Sequence, residues 1–174
     1  MKAKWYGIYT KQNCEKKVVE CLNRRQIENF YPTRIVKSRS ALLRRPFEEA
    51  LFPSHVFVKI EEHRLKTLKA LPGVINYLFW LDSPIVINDS EIELMKVILA
   101  ENRDIRIQKT KINFNKINDG PKISSLELDG IKSFKITLRS LGYHMITQME
   151  LPKLTIIPAI QNTHKTSAEL ELLN

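Results

Sequence analysis

The feature that most restricts the fold is a change in hydrophobic pattern about two thirds of the way along the chain. In the first part of the 174 residues, strand-like and helix-like spacings alternate, whereas residues 112–158 contain strand-like runs only. Such a change is typical of two domains of different class. We therefore expect an α/β domain at residues 1–100, a linker at 101–111, a small five-stranded β-barrel at 112–158 and a fraying tail at 159–174.

Local signals predict the elements of the first domain. The periodicity and the turn residues indicate strands at 5–10, 30–36, 51–60, 74–80 and 84–87, and helices at 14–25, 61–71 and from Asp89 or Ser90 to about Ala100. Pro72 and Gly73 stop the second helix. The basic residues 37–45 resemble a hairpin tip, with one arm rejoining the sheet.

The strand-like runs of the second domain lie at 123–128, 134–138, 143–149 and 154–157. Turn signals separate them at Gly120-Pro121, Asp129-Gly130 and Leu141-Gly142. This spacing of short strands and tight turns favours a small barrel over a helical domain.

Apolar content and cysteine spacing indicate whether the chain contains a membrane span or a disulfide bond. No apolar run approaches the roughly 18 residues needed to span a bilayer, and the start of the chain lacks a leader-like core, so we expect a cytoplasmic protein with no membrane contact. Cys14 and Cys21 lie seven positions apart on one predicted helix, too far for a disulfide, and are expected to be small buried apolar residues. The lack of an obvious second apolar surface favours a monomer.

Positive charge is concentrated near the amino terminus. Residues 2–45 contain 12 Lys and Arg against 3 Glu, while the rest of the chain contains 16 residues of each sign. Concentrated positive charge attracts phosphodiester backbones and speeds association with them. The alternative is a solvated basic face that only keeps the protein soluble.

Catalysis is not indicated by any pattern. The four histidines, at positions 55, 63, 144 and 164, are scattered without metal-ligand spacing. Neither a Gly-x-Gly-x-x-Gly nor a Gly-x-Ser-x-Gly pattern occurs. We therefore expect a protein that is not an enzyme and needs no metal or cofactor.

Five segments, in order, carry a resemblance to a known family. They are Trp5-Tyr6 with Tyr9-Thr10-Lys11, a helix bearing Glu15 and ending near Gln26-Ile27, Phe30-Tyr31-Pro32, residues 51–58 and Leu71-Pro72-Gly73-Val74. Phe114 and residues 117–121 further resemble the start of a KOW domain. The chain thus resembles NusG-type transcription elongation factors, specifically a specialised paralogue of the RfaH or UpxY kind. The resemblance implies an N-terminal domain with an antiparallel sheet flanked by helices, followed by a degenerate KOW-like barrel.

The resemblance also implies a polymerase-binding surface. Members of the family dock an apolar depression onto the clamp helices of bacterial RNA polymerase, and the matching positions are Tyr9, Phe52, His55 and Phe57. His55 stands where the family usually has Tyr, so it offers less apolar area. The alternative is that Phe52 and Phe57 are core residues. We expect Phe52, beside a proline at a strand start, to be exposed, whereas Phe57 fits either place.

Specialised relatives also contact the displaced non-template DNA strand. The matching positions are Lys11, Arg24 and Arg25, inside the basic segment, and Lys17 lies on the same helix edge as Arg24. Such cations bind phosphate without regard to base sequence. Cys21 stands where a relative offers a longer polar side chain, which argues against a base-specific contact.

The resemblance implies that the chain promotes processive transcription or antitermination, with Rho or a ribosomal protein as partner of the second domain. No glycine occurs from Lys122 to Leu126, where a KOW turn would have one, so the loop there is expected to be remodelled. The competing hypothesis is an RNA-binding or ribosome-associated KOW protein. Exposed clustering of Tyr9, Phe52 and His55 would favour the polymerase, whereas aromatics along a basic groove would favour RNA.

Overall fold

The computed structural model describes residues 2–36, 46–80, 83–101, 105–109, 120–128 and 131–147. The chain divides into two compact units, residues 1–89 and 90–174. Within the described ranges, no helix has the length and apolar character needed to cross a membrane.

The first unit combines short strands with two helices. Its described strands are β1 (Lys4–Thr10), β2 (Asn29–Phe30), β3 (Thr33–Val36), β4 (Phe47–Ala50), β5 (His55–Ile60), β6 (Val74–Tyr77), β7 (Phe79–Trp80), β8 (Ser83–Pro84) and β9 (Val86–Ile87). Its helices are α1 (Glu15–Arg24) and α2 (Leu65–Leu68), the latter preceded by a 3-10 turn at Glu62–Arg64.

Strand β1 is the centre of the main sheet. It pairs with β5 on one side and with β6 and β9 on the other, and β2 pairs with β5. All these pairings are antiparallel, and the β1–β5 register runs from Lys4 opposite Ile60 to Tyr9 opposite His55. Because side chains alternate between the faces of a strand, Tyr6 and Ile8 lie on one face and Tyr9 on the other. The predicted antiparallel sheet is thus observed.

Helices α1 and α2 cover the face of the sheet that bears Tyr6 and Ile8. The core there contains, among others, Val18 and Leu22 of α1 and Leu65 and Leu68 of α2. Val18 and Leu22 follow the helical spacing that predicted the apolar stripe. Cys14 and Cys21 are both free thiols, but they are half-buried, so the prediction of burial was wrong. The reason is position: Cys14 is the N-cap residue, and Cys21 lies at the edge of the stripe.

Four of the five strands predicted for the first domain are divided or shortened, and two of these, 74–80 and 84–87, are interrupted at Leu78 and Ile85. Residues 30–36 divide into β2 and β3 at Tyr31 and Pro32, because proline cannot donate to a ladder. β3 pairs with β4 in a separate two-stranded sheet, so neither arm of this hairpin rejoins the main sheet, and the predicted tip at 37–45 lies outside the described residues. Residues 51–54 form a turn in which Ser54 has φ of 63°, and the strand begins only at His55.

The second unit is a helix and an antiparallel sheet in its described residues. Helix α3 (Asp89–Glu101) begins and ends close to the predicted positions, and its Ile92, Leu94, Met95 and Ile98 are buried. The strands are β10 (Arg106–Lys109), β11 (Lys122–Leu128), β12 (Ile131–Leu138) and β13 (Tyr143–Thr147), in the order β10-β13-β12-β11.

The segment expected to be a linker contains strand β10. Ile105 is buried and Ile107 half-buried, alternating with exposed Arg106 and Gln108, and the strand lies at the sheet edge, where charge is tolerated. Two apolar residues were too few to signal a strand. The described residues of this unit form a four-stranded sheet. The expected five-stranded barrel stays a prediction, because the run at 154–157 and the tail at 159–174 lie outside the described residues.

Candidate functional site

Tyr9 and His55 form an aromatic pair at the ends of β1 and β5. They lie directly opposite each other, with ring centroids 5.6 Å apart and planes at 71°. Tyr9 is 42% exposed and His55 is half-buried. The Pro53 carbonyl accepts a hydrogen bond from Nδ1 of His55 at 2.7 Å, which fixes the imidazole ring. The structure thus brings two of the four predicted apolar-surface residues together at the surface.

Phe52 and Phe57 are in the interior instead. Phe52 is 1% and Phe57 0% exposed, and their rings lie 5.8 Å apart in an edge-to-face arrangement. The ring of Phe30 lies 6.2 Å from that of Phe57 on the adjacent strand. The expected exposure of Phe52 was therefore wrong, and the core alternative holds for both residues. The cause is the turn at 51–54, which directs the Phe52 ring onto Phe57 rather than into solvent.

Gly7 lies opposite Phe57 in the β1–β5 pairing. It is two residues before Tyr9 and therefore on the same face of β1. A Cβ at Gly7 would be 2.5 Å from Cδ1 of Leu78, and the Leu78 amide donates to the Gly7 carbonyl at 2.8 Å. Glycine thus permits a close approach that ties β1 to the segment after β6. The sequence analysis did not identify this residue.

The turn before His55 is held by hydrogen bonds from two elements. The Ser54 amide donates to Oε1 of Glu15 at 2.8 Å, and the Ser54 carbonyl accepts from the Thr10 amide, also at 2.8 Å. Glu15, in the first turn of α1, is 6% exposed. Glu15 lies in one of the segments that carry the family resemblance, but nothing in the sequence indicates which backbone group its carboxylate binds.

The predicted nucleic-acid residues flank α1. Lys11, Lys17, Arg24 and Arg25 are all exposed. Lys11 precedes the helix, whereas Arg24 and Arg25 end it, and ten helical residues span about 15 Å. The structure therefore does not gather the four cations at one point. Lys17 and Arg24, two turns apart, share an edge as the spacing predicts.

Arg24 also has a local role. Its Nε donates to the Glu20 carbonyl at 3.4 Å, and its Nη2 lies 3.6 Å from Sγ of Cys21. Cations commonly bind the last carbonyls of a helix, so these contacts suit the solvated-terminus alternative. In the described part of the chain, no carboxylate forms an ion pair with Lys11, Lys17 or Arg25.

Lys16 differs from its basic neighbours because it has an acidic partner. Its Nζ lies 3.1 Å from Oε2 of Glu48 on β4, and the Thr33 hydroxyl donates to Oε1 of the same carboxylate at 2.8 Å. The hydrogen bond from Thr33, and then Lys16, lower the pKa of Glu48. The Lys16–Glu48 ion pair links α1 to the β3–β4 hairpin. The positive charge of Lys16 is therefore largely compensated by the Glu48 carboxylate.

A second aromatic group lies on β6 and β7. Phe79 is 52% exposed, and its ring centroid lies 6.3 Å from that of Tyr77. Nζ of Lys69 lies 4.8 Å from the centroid of the Tyr77 ring. An exposed ring next to a second ring that a cation contacts is an arrangement that can stack a nucleobase. Among the described residues, no group of three or more His, Cys, Asp or Glu side chains is placed to hold a metal ion.

Comparison with known proteins gave a family match and weaker structural similarities. The family model described as "Transcription termination factor nusG" matches residues 3–96, more than half of the chain. A solved structure described as "Domain interaction in Thermotoga maritima NusG" is similar at 19% identity and a TM-score of 0.47, covering 86% of this chain and 99% of that chain. Another, described as "Crystal Structure of MjSpt4:Spt5 complex conformation A", is similar at 16% identity and a TM-score of 0.31, covering 83% and 99%. The comparison with curated proteins gave no match.

Proposed function

The chain belongs to the NusG family, and on that premise we propose that it is a transcription factor that binds elongating bacterial RNA polymerase through residues 1–100. The family match over residues 3–96 is the observation that carries this proposal. In this proposal the chain acts in the cytoplasm as a monomer without catalysing a reaction. It promotes processive transcription of particular operons, as a specialised paralogue does.

Tyr9 and His55 are the contact to the clamp helices in this proposal. The two rings are adjacent and partly exposed, and the backbone around His55 is held by hydrogen bonds. Rings of this kind supply a large contact area with little loss of side-chain entropy, which is why aromatic residues are frequent interface anchors. Phe52 and Phe57 support this contact from the interior.

The exposed cations on and beside α1 are the contact to the non-template DNA strand in this proposal. Lys11, Lys17 and Arg25 are solvent-exposed and lie in the segment that holds the excess positive charge. Such residues add sequence-independent, salt-sensitive affinity. For the second unit we propose a KOW-like domain with Rho or a ribosomal protein as partner. The antiparallel sheet of that unit supports the KOW-like domain, whereas the choice of partner follows from the family resemblance alone.

Copurification with RNA polymerase after nuclease treatment tests the central proposal. Wild-type protein should copurify with the polymerase. Tyr9→Ala should lower the binding free energy by about 2 kcal/mol and so reduce the amount retained, because loss of an anchor ring removes apolar contact area. Phe79→Ala is the matched control, since it removes an exposed ring elsewhere in the first unit and should leave retention unchanged. Failure of wild type to copurify with polymerase would refute the proposal.

A nucleic-acid-binding role is the second candidate, and the arrangement of Lys69, Tyr77 and Phe79 favours it. If the chain acts as an RNA-binding protein, Phe79→Ala should weaken binding to single-stranded RNA while Tyr9→Ala does not. The same two variants therefore separate the candidates, with opposite outcomes.

A further inference from the structure

Glu15 is an acidic residue whose side chain is almost wholly removed from solvent, at 6% exposure. It lies in the first turn of α1, and its carboxyl group reaches across to the turn before β5. There Oε1 accepts the Ser54 amide hydrogen, with a donor–acceptor distance of 2.8 Å. A side chain of this kind is rarely buried unless it binds a specific partner.

Ser54 has an uncommon backbone conformation. Its φ of 63° lies in the left-handed region, where residues other than glycine, asparagine and aspartate are uncommon. Its amide is held by Glu15 and its carbonyl by the Thr10 amide. The peptide groups on both sides of the strained residue are therefore fixed by α1 and β1.

The residue that follows Ser54 is His55, so the orientation of this turn sets where the imidazole lies. The His55 amide donates to the Phe52 carbonyl at 3.2 Å, and its Nδ1 donates to the Pro53 carbonyl at 2.7 Å. Both acceptors belong to the turn. The His55 ring thus meets the Tyr9 ring at 5.6 Å while its Nδ1 is bound to this turn.

We propose that Glu15 is a positioning residue for the Tyr9–His55 pair: by binding the Ser54 amide it holds the left-handed turn that places the His55 ring against Tyr9. This inference rests on the proposed function in that the pair is the polymerase contact. Glu15 itself is buried and does not touch the polymerase.

Two substitutions of Glu15 and one of Ser54, made in the full chain, test the proposal. Glu15→Gln keeps an oxygen acceptor and should behave like wild type. Glu15→Ala leaves the Ser54 amide without its acceptor and should weaken polymerase binding by about fivefold or more. Adding Ser54→Gly to Glu15→Ala should restore part of the affinity, because glycine adopts positive φ without strain.

Val18→Ala is the control for a general loss of stability. Val18 is a core residue of the same helix, and its amide donates to the Cys14 carbonyl rather than to the turn. At a temperature where Val18→Ala and Glu15→Ala are equally folded, only Glu15→Ala should weaken binding. Equal weakening by both variants would mean that Glu15 serves stability alone, and the proposal would be wrong.

A readout on the free protein separates this inference from the proposed function. The ring resonances of Tyr9 and His55, followed by NMR, should shift in Glu15→Ala and return toward wild type with Ser54→Gly, whether or not polymerase is bound. Unchanged ring resonances in Glu15→Ala overturn the positioning role. If wild type itself fails to bind polymerase, the proposed function falls, and the NMR result still decides whether Glu15 positions the pair.

Discussion

Phe52 shows how a single ring supports the surface without being part of it. Its side chain is buried under the turn that leads to His55, in edge-to-face contact with Phe57. Aromatic rings remove a large apolar area from water on burial, and edge-to-face contacts add further stability. We therefore assign Phe52 to the core that supports the turn and Tyr9 to the binding surface.

Phe52→Ala should lower the free energy of unfolding by about 3–5 kcal/mol, because it removes a buried ring and leaves a cavity. Urea denaturation followed by circular dichroism measures this change. Tyr9→Ala is the control and should cost less than about 1 kcal/mol, since its ring is 42% exposed. A Phe52→Ala protein as stable as wild type would contradict the assignment to the core.

Helix α1 is the element that combines structural and binding roles. Its apolar stripe packs on the sheet through Val18 and Leu22, and Glu15 holds the turn before β5. The opposite face and the carboxyl end present exposed cations. Positive charge at a helix carboxyl terminus is also favourable for the helix itself. Arg24 and Arg25 therefore have two explanations, helix termination and phosphate binding, which predict different effects of salt.

Arg24→Ala combined with Arg25→Ala should leave binding to free polymerase intact and weaken association with a transcribing complex. The weakening should shrink as salt rises, because each lost phosphate contact also removes about one released counterion from the equilibrium. Readthrough of an intrinsic terminator at two ionic strengths measures the effect.

Lys109→Ala combined with Lys122→Ala is the matched control for that experiment, since it removes the same charge from exposed positions of the second unit. It should give wild-type readthrough at both ionic strengths. If the arginine variant also matches an active wild type under both conditions, the cations at the end of α1 serve only the helix and solubility.

At the scale of the whole molecule, a buried carboxyl group connects distant parts of the sequence. Glu91, near the start of α3, accepts hydrogen bonds from the amide and the hydroxyl of Ser140, 49 residues away. Glu91 is 0% exposed, and burial raises the pKa of its carboxyl group, although hydrogen bonds from Ser140 oppose that effect. Glu91 lies within the family match at residues 3–96, whereas Ser140 lies beyond it.

The raised pKa of Glu91 predicts a dependence of stability on pH. The folded state binds the proton more tightly than the unfolded chain, so the contribution of this group is complete below the unfolded-state pKa and is lost as pH rises through the folded-state pKa. Glu91→Gln removes the ionisation and keeps an acceptor for Ser140. Its stability relative to wild type should therefore increase as the pH rises from about 4, near the ordinary pKa of a glutamate carboxyl group, toward neutral pH.

Thermal denaturation of wild type and Glu91→Gln across that pH range measures the difference. Lys96→Gln, a change at a partly exposed residue of the same helix, provides a control that should show no comparable trend. A constant difference between wild type and Glu91→Gln at every pH would show that Glu91 has the same pKa in the folded and unfolded states.

The amino-acid sequence by itself determined several of the elements and the family to which the chain belongs. Strand β1 and helices α1 and α3 follow from local periodicity and turn residues, which act over a few positions. These features depend on neighbours in sequence, so the pattern alone was sufficient.

Tertiary structure decided which aromatic rings are exposed and which polar groups are partners. Phe52 and His55 lie three positions apart in one motif, yet a positive φ at Ser54 places one ring inside and leaves the other half-buried at the surface. Strand β10 forms because β13 offers it a partner, not because its own residues favour a strand. The contacts of Glu15 with Ser54 and of Glu91 with Ser140 join residues 39 and 49 positions apart. Such contacts are set by how the elements pack, and local periodicity carries no information about them.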